Sequence, residues 1–171
     1  AAAAGVPYTL STTAHTSIED VARHAPGRLW FQAYVVRDQE FLHGMIARAR
    51  DADYEALMIT LDLPVGGKRE RDLRNHFTLP FRYTARNVWD FARKPRWAWP
   101  MLRHGVPVMG TLAGMRETGP GPGAAAATVG RNMDPGFDWD RLQALRERWP
   151  RKLVVKGVLR ADDGRRLVAL G

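Results

Sequence analysis

Apolar positions along the chain come in short runs separated by helical spacings. Ala1 to Gly5 reads as the end of an alanine-rich helix with a glycine stop. Tyr8-Thr9-Leu10 is a short strand that runs into Ser11-Thr12-Thr13. Ser17 to Arg23 is a helix, with Ser17 as N-cap and Asp20 at the capping-box position. Pro26-Gly27 ends it. Leu29 to Val36, rich in aromatic and β-branched residues, predicts a strand. Asp38 to Asp51 places Phe41, Leu42, Met45, Ile46 and Ala49 on one helical face. Ala56 to Leu61 is again an apolar run, broken by Pro64, Gly66 and Gly67. The rhythm then stops for about 75 residues, a long connection by any standard. Trp139 to Trp149 resumes it as an amphipathic helix through Leu142, Leu145 and Trp149. Lys152 to Lys156 predicts another buried strand, and Ala161 to Leu170 a helix with Gly171 at its C-cap.

Strand and helix in alternation, with short links, predict a parallel sheet with right-handed crossovers. A doubly wound sheet and a closed β/α barrel both fit. No Gly-x-Gly-x-x-Gly follows a strand, which counts against the dinucleotide-binding version.

Polar side chains gather where the strands end. Ser11 closes the first strand, Gln32 and Tyr34 the second, Thr60 and Asp62 the third, and Lys156 the fourth. Parallel α/β folds place ligands at the carboxyl ends of their strands. Gln and Thr suit the edge of a heterocycle, and a lysine suits a site that gains negative charge. Each has a plainer reading. Gln32 and Tyr34 share one strand face and fit an ordinary polar rim, and Lys156 fits a snorkelling surface lysine. Four strands ending alike favour a site.

Composition sharpens this only partly. The chain has 171 residues, enough for one domain with a sizeable core, and 45% are hydrophobic. It has no cysteine, which excludes disulfides and thiolate metal sites and fits a reducing compartment. No apolar run reaches the roughly 20 residues needed to span a bilayer. The net charge of +8 calls for an anionic partner. Between Lys68 and Arg103 ten Lys or Arg face three acids, a balance of +7, and Trp89, Trp97 and Trp99 lie among them.

These motifs together carry a resemblance. Leu10-Ser11-Thr12, Trp30-Phe31-Gln32-Ala33-Tyr34, Thr60-Leu61-Asp62, Lys68-Arg69-Glu70-Arg71-Asp72 and Val154-Val155-Lys156-Gly157 resemble, in order and spacing, the FMN-dependent L-2-hydroxy-acid dehydrogenase and oxidase family. Phe81-Arg82-Tyr83, Pro95-Arg96-Trp97, Leu102-Arg103-His104-Gly105 and Asn132-Met133-Asp134 look most like its membrane-associated mandelate- and lactate-oxidising members.

The resemblance implies part of a (β/α)₈ TIM barrel, about its second to fifth β/α units, with a long insertion, residues 76–137, after the barrel's fourth strand. It implies FMN as cofactor, contacted by Ser11, Gln32, Thr60 and Lys156. Tyr34 and Arg69 fall on substrate-contacting positions, with Tyr34 bonding the substrate's oxygen and Arg69 its carboxylate. Asp62 falls on the aspartate that orients the catalytic histidine. The implied reaction moves a hydride equivalent from an L-2-hydroxy acid to FMN. Electrons then pass to a quinone or another membrane acceptor. The resemblance also implies a homo-oligomer, a tetramer in the family, and a cytoplasmic enzyme peripheral on the inner face of the cell membrane.

None of His15, His24, His43, His76 and His104 matches the catalytic histidine, whose Ser-x-His-Gly-Gly-Arg motif is absent from this chain. The chain therefore looks like a piece of the enzyme and is expected to be inactive alone. For the basic, Trp-containing insertion three readings compete. It is a membrane-docking surface, a solvated loop, or a nucleic-acid-binding module. No recognised nucleic-acid motif accompanies it.

Overall fold

A computed structural model describes residues 1–67, 70–75, 83–105, 109–112 and 129–171. Four strands form one parallel sheet: β1 (Tyr8–Ser11), β2 (Leu29–Tyr34), β3 (Ala56–Thr60) and β4 (Lys152–Lys156). Their spatial order is β1-β2-β3-β4, the order of the chain. A doubly wound sheet reverses direction at a switch point, and this one never does. Of the two architectures left open by the sequence, the structure takes the progressive winding of a (β/α)₈ barrel. The links are helices α1 (Ile18–His24) between β1 and β2 and α2 (Gln39–Asp51) between β2 and β3. Helix α3 (Glu70–Arg74) follows β3, and α4 (Ala85–Ala92) and α5 (Pro95–His104) form a hairpin. Helix α6 (Trp139–Arg148) precedes β4, and α7 (Ala161–Leu170) follows it.

The strand register separates two faces. Leu10 pairs with Phe31, Phe31 with Leu57, and Leu57 with Leu153. The first three are at most 1% exposed and join Ile18, Leu42, Met45 and Ala49 of the helices in the core. Each large side chain removed from water there contributes about 1.5–3 kcal/mol. Phe31 meets Tyr54 edge-on at 6.3 Å. The fully buried Tyr54 hydroxyl donates to the Ile18 carbonyl at 3.0 Å, fastening α1 to the start of β3. The opposite face carries Ser11, Gln32, Tyr34, Met58, Thr60 and Lys156, which is the polar set.

Local chemistry explains the element ends. Ser17 Oγ accepts from the Asp20 N–H at 3.1 Å and donates to the Asp20 carboxylate at 2.8 Å. Asp20 thus meets the cap's hydroxyl, where a full capping box would have it meet the cap's backbone N–H. Asp38 and Asp138 cap α2 and α6. The expected second strand is shorter than Leu29–Val36. It ends at Tyr34, and Val36 instead forms an isolated antiparallel bridge to Met133. The fourth strand is not buried as expected. Its two lysines are exposed and Leu153 to Val155 half-buried, because among the described residues β4 has β3 on one side only.

The long connection is partly helical. Residues 68–69, 76–82, 106–108 and 113–128, and with them much of the expected 76–137 insertion, lie outside the described residues. Its described parts touch the barrel at Gly110–Leu112, a 3-10 turn with Thr111 and Leu112 buried, and around Val129 and Met133, which are 2% and 7% exposed.

Candidate active site at the strand ends

Three of the expected residues form a hydrogen-bonded row. Ser11 Oγ donates to Gln32 Oε1 at 3.1 Å, and Gln32 Nε2 donates to Thr60 Oγ1 at 2.9 Å. Register makes this row possible. Ser11 pairs with Gln32, while Thr60 pairs with Tyr34, two residues further on. The side chains therefore step diagonally across neighbouring strands on one face. Gln32 is 9% exposed and Thr60 is 4% exposed, so both polar groups need partners and both have them. With its oxygen accepting from Gln32, the Thr60 hydroxyl keeps its hydrogen for another acceptor.

Tyr34 stands on the same face in register with Thr60 and is half-buried. Its hydroxyl has no hydrogen-bond partner among the described residues. Its backbone is held by a residue that sequence reasoning passed over. Thr12, fully buried, donates from Oγ1 to the Gln32 carbonyl at 2.8 Å and accepts from the Tyr34 N–H at 3.0 Å. One hydroxyl thus fixes the spacing between Gln32 and Tyr34. The only signal in the sequence was its place beside Ser11 at a strand end.

Lys156 pairs with Thr60 in register, and its Nζ donates to Asp62 Oδ2 at 2.7 Å. The Lys156 ammonium, through that bond, holds the Asp62 carboxyl below its usual range against the opposing effect of desolvation. Asp62 is therefore a carboxylate at neutral pH. The Leu61 N–H donates to the Lys156 carbonyl at 3.0 Å, carrying the β3–β4 pairing past Thr60. This brings Asp62 against Gly157, which the sequence motif contained without giving it a role. Gly157 has φ +97°, and a Cβ there would lie 2.6 Å from the Asp62 Cβ. A side chain at 157 would push Asp62 out of its place.

The structure thus brings together Ser11, Gln32, Tyr34, Thr60, Asp62 and Lys156. Arg69, the expected carboxylate-binding residue, lies outside the described residues. Among the described residues no histidine is hydrogen-bonded to Asp62. No cluster of metal-ligating side chains occurs among the described residues either.

The donor set suits a flat, hydrogen-bonding ring carrying or gaining negative charge. A hydroxyl and an amide would meet its edge and an ammonium its end. These are the contacts an isoalloxazine requires, so FMN fits the residues present.

A family model for FMN-dependent dehydrogenase matches residues 1–171. The chain is 42% identical over 168 residues to (S)-mandelate dehydrogenase of Pseudomonas putida, covering 98% of this chain and 42% of that protein. It is 36% identical over 172 residues to L-lactate dehydrogenase of Pseudomonas entomophila (strain L48), covering 100% of this chain and 45% of that one. The crystal structure of the monotopic membrane protein (S)-mandelate dehydrogenase superposes with a TM-score of 0.87 at 42% identity, covering 99% of this chain and 44% of the other. The chain therefore spans less than half the length of these relatives.

Proposed function

The chain belongs to the FMN-dependent dehydrogenase family, and from that premise we propose that its strand-end rim holds FMN and the substrate of an L-2-hydroxy-acid dehydrogenase. The observation that carries this is the Ser11–Gln32–Thr60 row standing beside Lys156 on one face of the sheet. FMN, when bound, supplies the acceptor for the hydride equivalent that leaves the substrate's α-carbon. Ser11, Gln32 and Thr60 bind the ring edge, and Lys156 provides a fixed positive charge where negative charge develops. Asp62, kept ionised by Lys156, is placed to orient a protonated base, the role an aspartate plays beside a histidine. Tyr34 offers a hydroxyl to the substrate's oxygen. Arg69 pairs with the substrate's carboxylate as a planar fork. Mandelate and lactate are the acids favoured, since the relatives named above act on them.

The second part of the proposal concerns where the enzyme works. No helix among the described residues is long and apolar enough to cross a membrane. The α4–α5 hairpin buries none of its residues, and Trp89, Trp97 and Trp99 are 65%, 50% and 64% exposed. Arg86, Arg93, Lys94, Arg96 and Arg103 stand on the same hairpin, all exposed. Tryptophans interleaved with cations suit an anionic lipid interface better than a nucleic acid. The hairpin, within the 76–137 insertion, docks the enzyme on the cytoplasmic face of a membrane and near a quinone-type acceptor. Supporting this, the similar mandelate dehydrogenase is a monotopic membrane protein.

The test uses the full-length protein with FMN. Turnover of mandelate or lactate with an artificial electron acceptor, lost on removing FMN, is expected. Absence of flavin-dependent turnover with any 2-hydroxy acid would refute the reading.

A further inference from the structure

Thr111 lies far from the strands in sequence, on the long connection, yet it is fully buried. Its Oγ1 donates to the Ala14 carbonyl at 2.9 Å, with the Thr16 carbonyl also in reach at 3.3 Å, both on the loop that follows β1. Its own carbonyl accepts from Arg48 Nη1 at 3.3 Å. Arg48 in turn grips Glu19 with Nε and Nη2 at 2.6 and 2.8 Å. Next to it, the Gly110 N–H donates to the His15 carbonyl at 2.9 Å, and a Cβ at 110 would stand 2.6 Å from that oxygen. Only glycine permits so close an approach.

The loop held in this way carries the rim. The Ala14 N–H donates to the Ser11 carbonyl at 3.1 Å, the Thr13 N–H to Ser11 Oγ at 3.3 Å, and Thr12 bridges Gln32 to Tyr34. Backbone carbonyls that leave the sheet at a loop need donors from elsewhere. Here those donors come from a segment more than ninety residues away along the chain. The other return of the connection behaves alike. The Arg37 N–H donates to the Asn132 carbonyl and the Asp134 N–H to the Val35 carbonyl, just past Tyr34. A Cβ at Gly66, in the loop after Asp62, would lie 2.7 Å from the Gly130 carbonyl. The connection therefore abuts the loops after all three of the first strands.

We infer that Thr111 is a positioning residue for the flavin-binding rim, acting through the Ser11–Ser17 loop. The inference rests on the reading of the rim as an FMN site. The long connection then does two jobs: its hairpin faces outward, and its buried returns set the rim's geometry.

The test compares Thr111→Val and Thr111→Ser in the full-length protein. The readouts are FMN dissociation constant from flavin fluorescence, the visible spectrum of bound flavin, and the apo-protein's Tm. Thr111→Val keeps the shape and removes the donor. It is expected to weaken FMN binding about tenfold, the size of one lost buried hydrogen bond, and to alter the bound-flavin spectrum. Thr111→Ser keeps the donor and should bind FMN within about twofold of the parent. A purely structural role would lower the Tm of Thr111→Val while leaving the affinity and spectrum of its folded fraction unchanged, and that result overturns the inference. If Thr111→Val does not fold, Arg48→Gln, which frees the Thr111 carbonyl and also breaks the Glu19 pair, is compared with Glu19→Gln, which breaks that pair alone, and the difference between the two decides the matter. A weaker FMN affinity in Arg48→Gln than in Glu19→Gln supports the role, and equal affinities overturn it. A parent protein that binds no FMN would instead overturn the underlying reading of the rim.

Discussion

The strand-end rim and the α4–α5 hairpin are both rich in polar and aromatic side chains, and they dispose of them in opposite ways. At the rim, Ser11, Gln32 and Thr60 bond one another across three strands, and Asp62 and Lys156 neutralise each other at 2.7 Å. On the hairpin the Trp side chains and the cations face outward, and its internal order comes from the Thr84–Asn87 capping box and the 5.0 Å contact of Phe91 with Trp97. The first region is a hydrogen-bonded set fixed by the register of a sheet, which suits a small, specific ligand. The second offers a broad apolar and cationic surface, including a shallow apolar groove lined by Phe91, Pro95, Trp99 and Leu102, which suits a surface such as a membrane. The two should therefore fail separately, and changes aimed at one should leave the other's readout intact.

The largest expected break is Lys156→Met. Losing one preorganised charge at the rim should slow flavin reduction about 10²–10³-fold while leaving vesicle binding unchanged. Stopped-flow reduction and a vesicle sedimentation assay on the same protein measure both. An unchanged reduction rate would return Lys156 to the role of a surface lysine.

Next comes the hairpin. Replacing Arg93, Lys94 and Arg96 with Gln removes three cations, each contributing about 1 kcal/mol near anionic lipid, so binding to anionic vesicles should weaken by up to about a hundredfold. Turnover with a soluble acceptor should hold. If vesicle binding persists, the docking surface lies elsewhere.

Gly157→Ala tests the rim by crowding it. The added Cβ would sit 2.6 Å from the Asp62 Cβ at a positive φ, and overpacking of this kind costs about 1–3 kcal/mol. Chemical denaturation should register that loss, and the pH profile of turnover should shift as Asp62 moves off Lys156. A variant with unaltered stability and pH profile would show that the rim adapts, which would weaken the contrast drawn above.

The smallest effect concerns acid. Glu19, bonded by Arg48, has its carboxyl lowered from 4.5 to about 2. A group whose pKa is lowered by folding contributes stability above its unfolded pKa and loses it as pH falls. Tm should therefore decline from about pH 4.5 toward pH 2, and less steeply in Glu19→Gln. Equal slopes would mean that the exposed part of this pair is screened to insignificance.

Much of this was legible in the residues. The strands declared themselves by apolar runs, and Ser11, Gln32, Tyr34, Thr60, Asp62 and Lys156 by polar side chains at the ends of those runs. Register was not legible, so the sequence could not say that Ser11, Gln32 and Thr60 form one row or that Lys156 meets Asp62. Thr12 and Gly157 escaped for the same reason. Their importance lies in a backbone amide and a Cβ-sized gap supplied by other strands. The buried returns at Thr111 and Met133 were hidden inside a segment whose composition signals exposure. Polarity and charge there describe the hairpin, and a few buried positions cannot alter that average.

The most direct test is an anaerobic one. Full-length protein loaded with FMN is mixed with excess (S)-mandelate or L-lactate, and the visible absorbance of its flavin is followed. The account predicts that bound flavin is bleached by at least one of these acids, and far more slowly in Lys156→Met. A protein that retains FMN yet leaves it oxidised with every 2-hydroxy acid offered, or that retains none, would contradict it.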